Sequence, residues 1–479
     1  MHYHIVGIGG AGMSALANIL LDQGHRVSGS DLEANRLTAA LQARGVTTHV
    51  GHSPSHVGGA DVLLATAAVR SDHPELAAAR RAGIPVLKRT DLWEKWSQQR
   101  SVLAVAGSHG KTTTTAMVAW VLHRAGLTPG FLIGSAPVDL PSNACWGHPE
   151  APLVIEADEY DYAFLSLTPD MAIVTNVDWD HPDLYPSEAD YHTAFRVFAS
   201  QVRRLVLTCG DTESSARWRV ALEGRGEWVQ TYGFNEENDY RAVVTEQDQN
   251  EEQEQDQNED PRPPLPASAS ASTCFTIFKG EQRVGDRWYL TVPGHHNVLN
   301  ALAAVAVADA LNLDMGVVAE ALRTFRGTAR RFEPKGSTGG ATIIDDYAHH
   351  PTEVRATLAA ARARYGSRRI LAYLQPHTYS RTLALLEGWG TAFANADVVL
   401  VGDVYPSREV CPADTTSEAI VSDLVARIAA VHPDVSAVGT VGEAVAAVRA
   451  RLREGDVFIT LGAGDGYHIG EALVQEDQR

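Results

Sequence analysis

Lysine is scarce in this chain. Its 479 residues contain 40 lysines and arginines, of which only Lys88, Lys95, Lys111, Lys279 and Lys335 are lysine. Against 59 aspartates and glutamates the formal net charge is −19. That balance excludes a generic nucleic-acid or anionic-membrane binder, which needs a positive face, although a local basic site can hide inside the average. Cysteine is scarce too: Cys145, Cys209, Cys274 and Cys411 lie far apart without CxxC spacing. They imply reduced cytosolic thiols and no disulfide framework or zinc site. Long apolar runs are also missing. The uncharged stretch from Ile5 to Leu21 has no Lys or Arg before it and glycines through its first half, which argues against a signal peptide or membrane helix. The expectation is a soluble cytoplasmic protein with no membrane insertion and no nucleic-acid partner, as a monomer or homodimer.

At 44% apolar residues the chain can bury several cores, and its length suggests about three domains. The recurrent order is strand, glycine loop, helix. His4 to Ile8 reads as a strand, followed by Gly9-Gly10-Ala11-Gly12 and a helical pattern through Met13, Leu16, Ile19 and Leu20, stopped at Gly24. Val102 to Ala106, Gly107 to Gly110 and a helix from Thr112 to Ala125 repeat the plan. Alternation of this kind predicts doubly wound α/β domains with parallel sheets. Residues 244–273 interrupt it. From Glu246 to Asp260 there are eight acidic, no basic and no apolar residues, a composition that predicts a disordered loop inside a domain. Removing those eight charges takes −19 to −11. After Phe332 the rhythm resumes, with strands at Thr342–Asp345, Ile370–Gln375, Val398–Gly402 and Val457–Leu461. Helices are expected at Pro351–Tyr365 and near 383–394, 417–431 and 442–453. Domains are expected at 1–98, 99–326 and 327–479.

Two glycine loops carry chemistry. In the first, Gly7 to Gly12 is followed by Asp31, nineteen residues beyond Gly12. Such a loop lets backbone approach a diphosphate at a helix N-terminus, and the acid can bond a sugar hydroxyl. A nicotinamide cofactor, a nucleotide-sugar and mere close packing all remain open for it. The second is Gly107-Ser108-His109-Gly110-Lys111-Thr112-Thr113, between a strand and a helix. Its amides can cradle phosphates, Lys111 can reach the outer ones, and Thr112 offers a hydroxyl to Mg²⁺. It is a shortened variant, because Val105 stands where the full pattern has its first glycine. In a chain that otherwise uses arginine, Lys111 marks a place where a compact point charge is required.

Polar clusters end further strands: Glu156-Ala157-Asp158-Glu159, then Asn176-Val177-Asp178-Trp179-Asp180-His181. Open α/β sheets place ligands at such ends, and oxygen donors suit Mg²⁺; capping and turn formation would use the same residues. Asp345-Asp346-Tyr347-Ala348-His349-His350-Pro351 could bind, orient or deprotonate an amine while also starting a helix.

Together these motifs resemble the Mur ligases of peptidoglycan synthesis, over nearly the whole chain except the acidic insert. The resemblance rests on GIGGAGMS at Gly7–Ser14, GSHGKTTTT at Gly107–Thr115, EADEYD at Glu156–Asp161, Thr175–His181, PGHHNVLN at Pro293–Asn300, Arg330-Arg331-Phe332 and DDYAHHP at Asp345–Pro351. It implies a Rossmann-like first domain that takes the UDP part of a sugar substrate through Gly9, Gly10, Ala11, Gly12, Met13, Ser14 and Asp31. It implies ATP in the central domain, with Gly107, Ser108, His109, Gly110, Lys111, Thr112 and Thr113 on phosphates and Asn297 and Asn300 near the adenine. Thr112, Glu156 and His181 would surround Mg²⁺. A Rossmann-like third domain would close over the site, Arg331 and Asp346 contributing to the nucleotide and Tyr347, His349, His377 and Arg381 receiving an incoming L-alanine. The implied reaction is ATP-dependent ligation of L-alanine to the lactyl carboxylate of UDP-N-acetylmuramate through an acyl phosphate. No covalent enzyme nucleophile is needed.

Two departures stand out. Most relatives at other steps carry a carbamylated lysine, but no lysine lies between Thr112 and Phe278, and Phe195 occupies the equivalent place. Some relatives have an arginine after the histidine of Gln375-Pro376-His377, where this chain has Thr378. Two other functions compete: a peptide-adding ligase of cell-wall recycling, and a nicotinamide-dependent oxidoreductase, which would leave the Lys111 loop without work.

Overall fold

The computed structural model describes residues 1–66, 69–70, 72–212, 228–245 and 273–477. Three α/β domains follow one another, each built on its own sheet. The first sheet is wholly parallel, in the order Thr47–Val50, Arg26–Asp31, His2–Val6, Val62–Ala65, Val86–Leu87. Its first strand stops at Val6, two residues before the expected Ile8, because Gly7 takes φ +77° and starts the loop. The strand order reverses beside that strand, so the loop opens into the crevice at its carboxyl end.

The central sheet has ten strands, with Val102–Ala106 between Met171–Val174 and Leu153–Glu156. It is not purely parallel. Tyr240–Thr245, Thr273–Lys279 and Gln282–Leu290 form an antiparallel extension at one edge, and Ala144–Cys145 pairs antiparallel at the other. Hairpin neighbours need no crossover helix, which is why the rhythm fails there. Val244, Thr245 and Thr273, expected in the disordered segment, are strand residues; the rest of that segment, 246–272, lies outside the described residues. The helix His295–Ala310 is buried on almost all sides against the helix Lys111–Arg124 and this sheet, as an Ala/Val/Leu-rich helix must be.

The third sheet runs Glu333–Thr338, Ala341–Asp346, Val457–Leu461, Ile370–Leu374, Val398–Gly402, Val435–Gly439, with only the first strand antiparallel. The helix expected near 383–394 is instead two short ones, Tyr379–Ala384 and Leu386–Trp389. Thr378 caps the first, and Leu385 leaves helical geometry at φ −101°, ψ 13°. None of the four cysteines is in a disulfide, and among the described residues no helix is long and apolar enough to cross a membrane.

Leu302 has no solvent exposure in the central core. Leu302→Ala should destabilise that domain by about 3 kcal/mol, read as a lower urea midpoint for the circular dichroism signal.

Candidate active site

The first glycine loop is fastened by its own domain. Gly7 and Ile8 donate their N–H groups to the Ser30 carbonyl at 2.8 and 3.1 Å. Gly9 N–H donates to Asp31 Oδ2 at 2.7 Å, and Leu32 N–H donates to Asp31 Oδ1 at 2.7 Å. A Cβ on Gly9 would lie 2.8 Å from Asn35 Nδ2, so glycine is demanded there by close approach. Asp31 thus holds the loop with both oxygens. Gly10 precedes the helix Ala11–Asp22, and Gly12 stands in open space. Met13 and Ser14 face inward, the Ser14 hydroxyl donating to the Ala11 carbonyl.

The second loop is tightly enclosed. Gly107 lies at φ +132° and Gly110 at φ +81°, conformations that favour glycine. A Cβ on Gly107 would collide with Thr175 Oγ1, and one on Gly110 would sit 2.8 Å from Asn300 Oδ1. Lys111 Nζ donates to the Gly107 carbonyl at 2.6 Å and lies 2.8 Å from Glu159 Oε2. Burial works against its charge, but Glu159 and Asp158 hold the ammonium above its ordinary range. The Thr112 hydroxyl donates to Glu156 Oε1 at 2.8 Å, and Gly134 N–H to Oε2 at 2.6 Å. Burial still pushes the Glu156 carboxyl up. Ser108 Oγ pairs with Tyr191 OH at 2.9 Å, and His109 N–H donates to Asn176 Oδ1 at 2.9 Å. Behind the loop, Asn300 Oδ1 accepts from Thr114 and its amide donates to Asn297.

Central and third domains meet through buried ions. Arg381 Nε donates to Asp180 Oδ1 at 2.7 Å, and its Nη2 approaches Oδ2 at 3.3 Å. Both residues are 4% exposed. Burial would raise the Asp180 carboxyl, yet Arg381 and His181 keep it well below the usual range. Arg381 Nη1 lies 3.0 Å from His377 Nδ1, and its Nη2 3.2 Å from His181 Nδ1. His181 Nε2 is 3.6 Å from Glu159 Oε1. His349 Nδ1 bonds the Tyr347 carbonyl at 2.9 Å; burial and Arg381 push this imidazole well below its ordinary range. The Tyr347 ring sits 5.0 Å from both the Arg330 and Arg331 guanidinium carbons. Asp346 accepts N–H groups from Phe332 and Ala348, each at 2.8 Å, and burial raises it to about 6.

Two cavities result. One of about 680 Å³ is walled by all three domains and gathers Ala11, Ser108, Gly110, Lys111, Thr112, Glu156, His181, Arg331, Tyr347 and His349. A second, about 350 Å³, gathers His109, Gly110, Thr113, Asn297, Asn300, Arg331 and Asp346. Arg331 faces both. His377 and Arg381 do not line either cavity, nor do Gly9, Gly10, Gly12, Met13, Ser14, Asp31 and Gly107. Sequence reasoning passed over Asn35, Arg36 and Leu37 on the first domain's wall, and Asp158, Glu159, Asp180 and Glu353. Asp158, Glu159 and Asp180 stand inside the strand-end clusters and could have been chosen on that signal; Glu353 lies in the first turn of the helix Pro351–Tyr365, where an acid is ordinary.

Models of three family domains match the chain in order. "Mur ligase family, catalytic domain" covers residues 2–100, "Mur ligase middle domain" 105–308, and "Mur ligase, glutamate ligase domain" 330–464. The chain is 51% identical over 485 residues to the UDP-N-acetylmuramate–L-alanine ligase of Roseiflexus sp. (strain RS-1), covering 99% of this chain and 98% of that one. The chain belongs to the Mur ligase family. The corresponding ligase of Chloroflexus aggregans is 48% identical, over 100% of this chain and 98% of its own. Among solved Mur ligases, the UDP-N-acetylmuramate–alanine ligase of Thermotoga maritima superposes with a TM-score of 0.80 at 30% identity, covering 100% and 99% of the two chains. A murein peptide ligase from Psychrobacter arcticus shares the fold, with a TM-score of 0.70 at 24% identity over 99% and 98%.

One cluster in this Mur ligase looks like a metal site. Among the described residues, His109, Asp178 and His350 bring ligand atoms within 4.8 Å of one another. The His350 Nδ1 lone pair, however, accepts Thr352 N–H at 3.2 Å to cap the helix, so its other nitrogen carries the proton. His109 lies 3.3 Å from Glu353 Oε1 and 3.4 Å from Asp178 Oδ2. The group is an ion cluster joining two domains.

Burial lowers the His109 imidazole, but Glu353 and Asp178 raise it to about 9 from an ordinary 6.5. Because the folded value is the higher, its stabilisation is full below about pH 6.5 and disappears as pH rises through about 9. Thermal midpoints should therefore fall across that window, and His109→Gln should flatten the fall.

Proposed function

We propose that this protein joins L-alanine to the lactyl carboxylate of UDP-N-acetylmuramate, with ATP converted to ADP and phosphate, in peptidoglycan precursor synthesis. The observation that carries the reading is the three-walled cavity, where Ala11 of the diphosphate-type loop with Asn35 and Arg36, a phosphate loop with its lysine, and Tyr347 and His349 face one space. Full-length identity near one half to alanine-adding ligases supports the same acceptor.

A carboxylate is a poor acyl donor, so a phosphoryl group is first transferred to it, and the alanine amine displaces phosphate from the acyl phosphate. Lys111 and Arg331 offset charge on the transferring phosphoryl oxygens. The second cavity, lined by Asn297 and Asn300, takes the adenosine end. Mg²⁺ fits the donors present: the Thr112 hydroxyl and Glu156 carboxylate are hard oxygen groups, the buried Glu156 charge calls for a cation, and His181 stands on the same wall. When bound, the ion neutralises phosphate charge. His349 donates its Nδ1 proton to the Tyr347 carbonyl and stays neutral through burial, so Nε2 presents a lone pair that can accept a hydrogen bond from the alanine amine and orient it. Arg381 and His377 stand behind that position, anchored to Asp180. Burying the acyl phosphate between domains excludes the water that would hydrolyse it.

ADP release should require UDP-N-acetylmuramate and L-alanine together; turnover indifferent to the sugar nucleotide would refute the assignment. In an acceptor panel L-alanine should win, and preference for a tripeptide would indicate the recycling reaction instead. Lys111→Ala should reduce turnover at least about a thousandfold with circular dichroism unchanged.

A further inference from the structure

A carboxylate with no solvent exposure lies behind the first glycine loop. Glu75, from the helix Pro74–Arg81, is 0% exposed. Four donors meet it: Ser30 Oγ at 2.6 Å, His56 Nδ1 at 2.9 Å, Ser53 N–H at 3.1 Å and His4 Nε2 at 3.3 Å. Burial pushes the group up, but these hydrogen bonds hold it at about 2. Ser30 is the link to the loop, because its carbonyl accepts the N–H groups of Gly7 and Ile8. The side chain of one residue therefore holds the carboxylate while its backbone holds the diphosphate-type turn.

The hydrogens in this network can be counted. His4 Nε2 must carry a proton to donate to Glu75, so His4 Nδ1 accepts from Ser28 Oγ, 2.9 Å away. Ser28 Oγ must then accept from His2 Nε2 at 2.9 Å. His2 Nδ1 faces the Gly59 carbonyl at 2.9 Å, where it can only donate. Ser28 Oγ thus joins His2 to His4, and His4 reaches the Glu75 carboxylate. On the other side, Ser30 Oγ accepts from His52 Nδ1 at 3.0 Å. The remaining ionisable neighbours are His49, stacked on His56 at 4.1 Å, His73, edge-on to His52 at 4.4 Å, and Asp61, which accepts the His2 backbone N–H.

We propose that Glu75 is a positioning residue for the sugar-nucleotide loop, acting through Ser30. The inference rests on the reading that the first domain takes UDP-N-acetylmuramate.

Calorimetric titration of UDP-N-acetylmuramate into the full-length wild type tests that underlying reading first, and absence of binding there sinks it. Given wild-type binding, Glu75→Gln should raise Kd and KM for the sugar nucleotide about tenfold, the loss expected for a charged hydrogen bond, with kcat and KM for ATP unchanged. Ser30→Ala, which leaves the backbone intact, should do the same to a smaller extent. Unaltered Kd in both variants overturns the positioning role. Parallel losses in kcat and in both KM values overturn it as well.

Discussion

Lys111 sets an ammonium group on the cavity wall, its side chain 15% exposed, and the buried Glu159 carboxylate beneath it needs that cation. Glu159 meets the charge at 2.8 Å and the Gly107 carbonyl at 2.6 Å, and the rest of the site is arranged around that pairing. Glu159 is itself 1% exposed and is approached by His181 and by the Tyr191 hydroxyl. Tyr191 also bonds Ser108 within the loop. The lysine, its counter-ion and the loop backbone therefore form one closed network in which no member is free to relax alone. That rigidity suits phosphoryl transfer, where positioning and preset charge do most of the work.

The same logic extends across the domain boundary. Arg381 of the third domain answers Asp180 of the second, and His109 of the second answers Glu353 of the third. These contacts have opposite polarity: each domain lends one cation and one anion, so closure leaves neither face with unbalanced charge. One contact is buried and the other part-exposed, and both constrain orientation, because a small rotation unpairs them. Tyr347 and His349 sit next to these contacts, and their approach to the Lys111 wall follows from the registration of the ions.

Much of this was legible in the sequence, and the reasons are local. Gly107 to Thr113 announces itself because a phosphate loop needs its residues at fixed spacing, and the structure shows why at Gly107 and Gly110, where side chains would collide with Thr175 and Asn300. Strand ends reveal themselves by apolar runs that break into acids. What stayed hidden was pairing over distance. Asp180 lies 201 residues from Arg381, and nothing in either segment indicates that the two meet. Asp31 shows a different limit: its spacing from the glycines predicts a ligand contact, but not that Gly9 and Leu32 each donate to one of its oxygens as well. The split helix after Thr378 failed for a third reason, since apolar periodicity cannot register a single residue leaving helical geometry.

Phe195 shows how the wall behind the phosphate loop is built. It has no solvent exposure and packs at 5.0 Å against both Phe164 and Tyr191. Tyr185 meets Tyr191 edge-on at 4.9 Å, so the wall behind the loop is aromatic. Phe195 contributes shape, packing against the Tyr191 ring whose hydroxyl reaches Ser108 and Glu159. The aromatic wall thus aims a hydroxyl at the loop, while the carboxylate of Glu159 stays committed to Lys111.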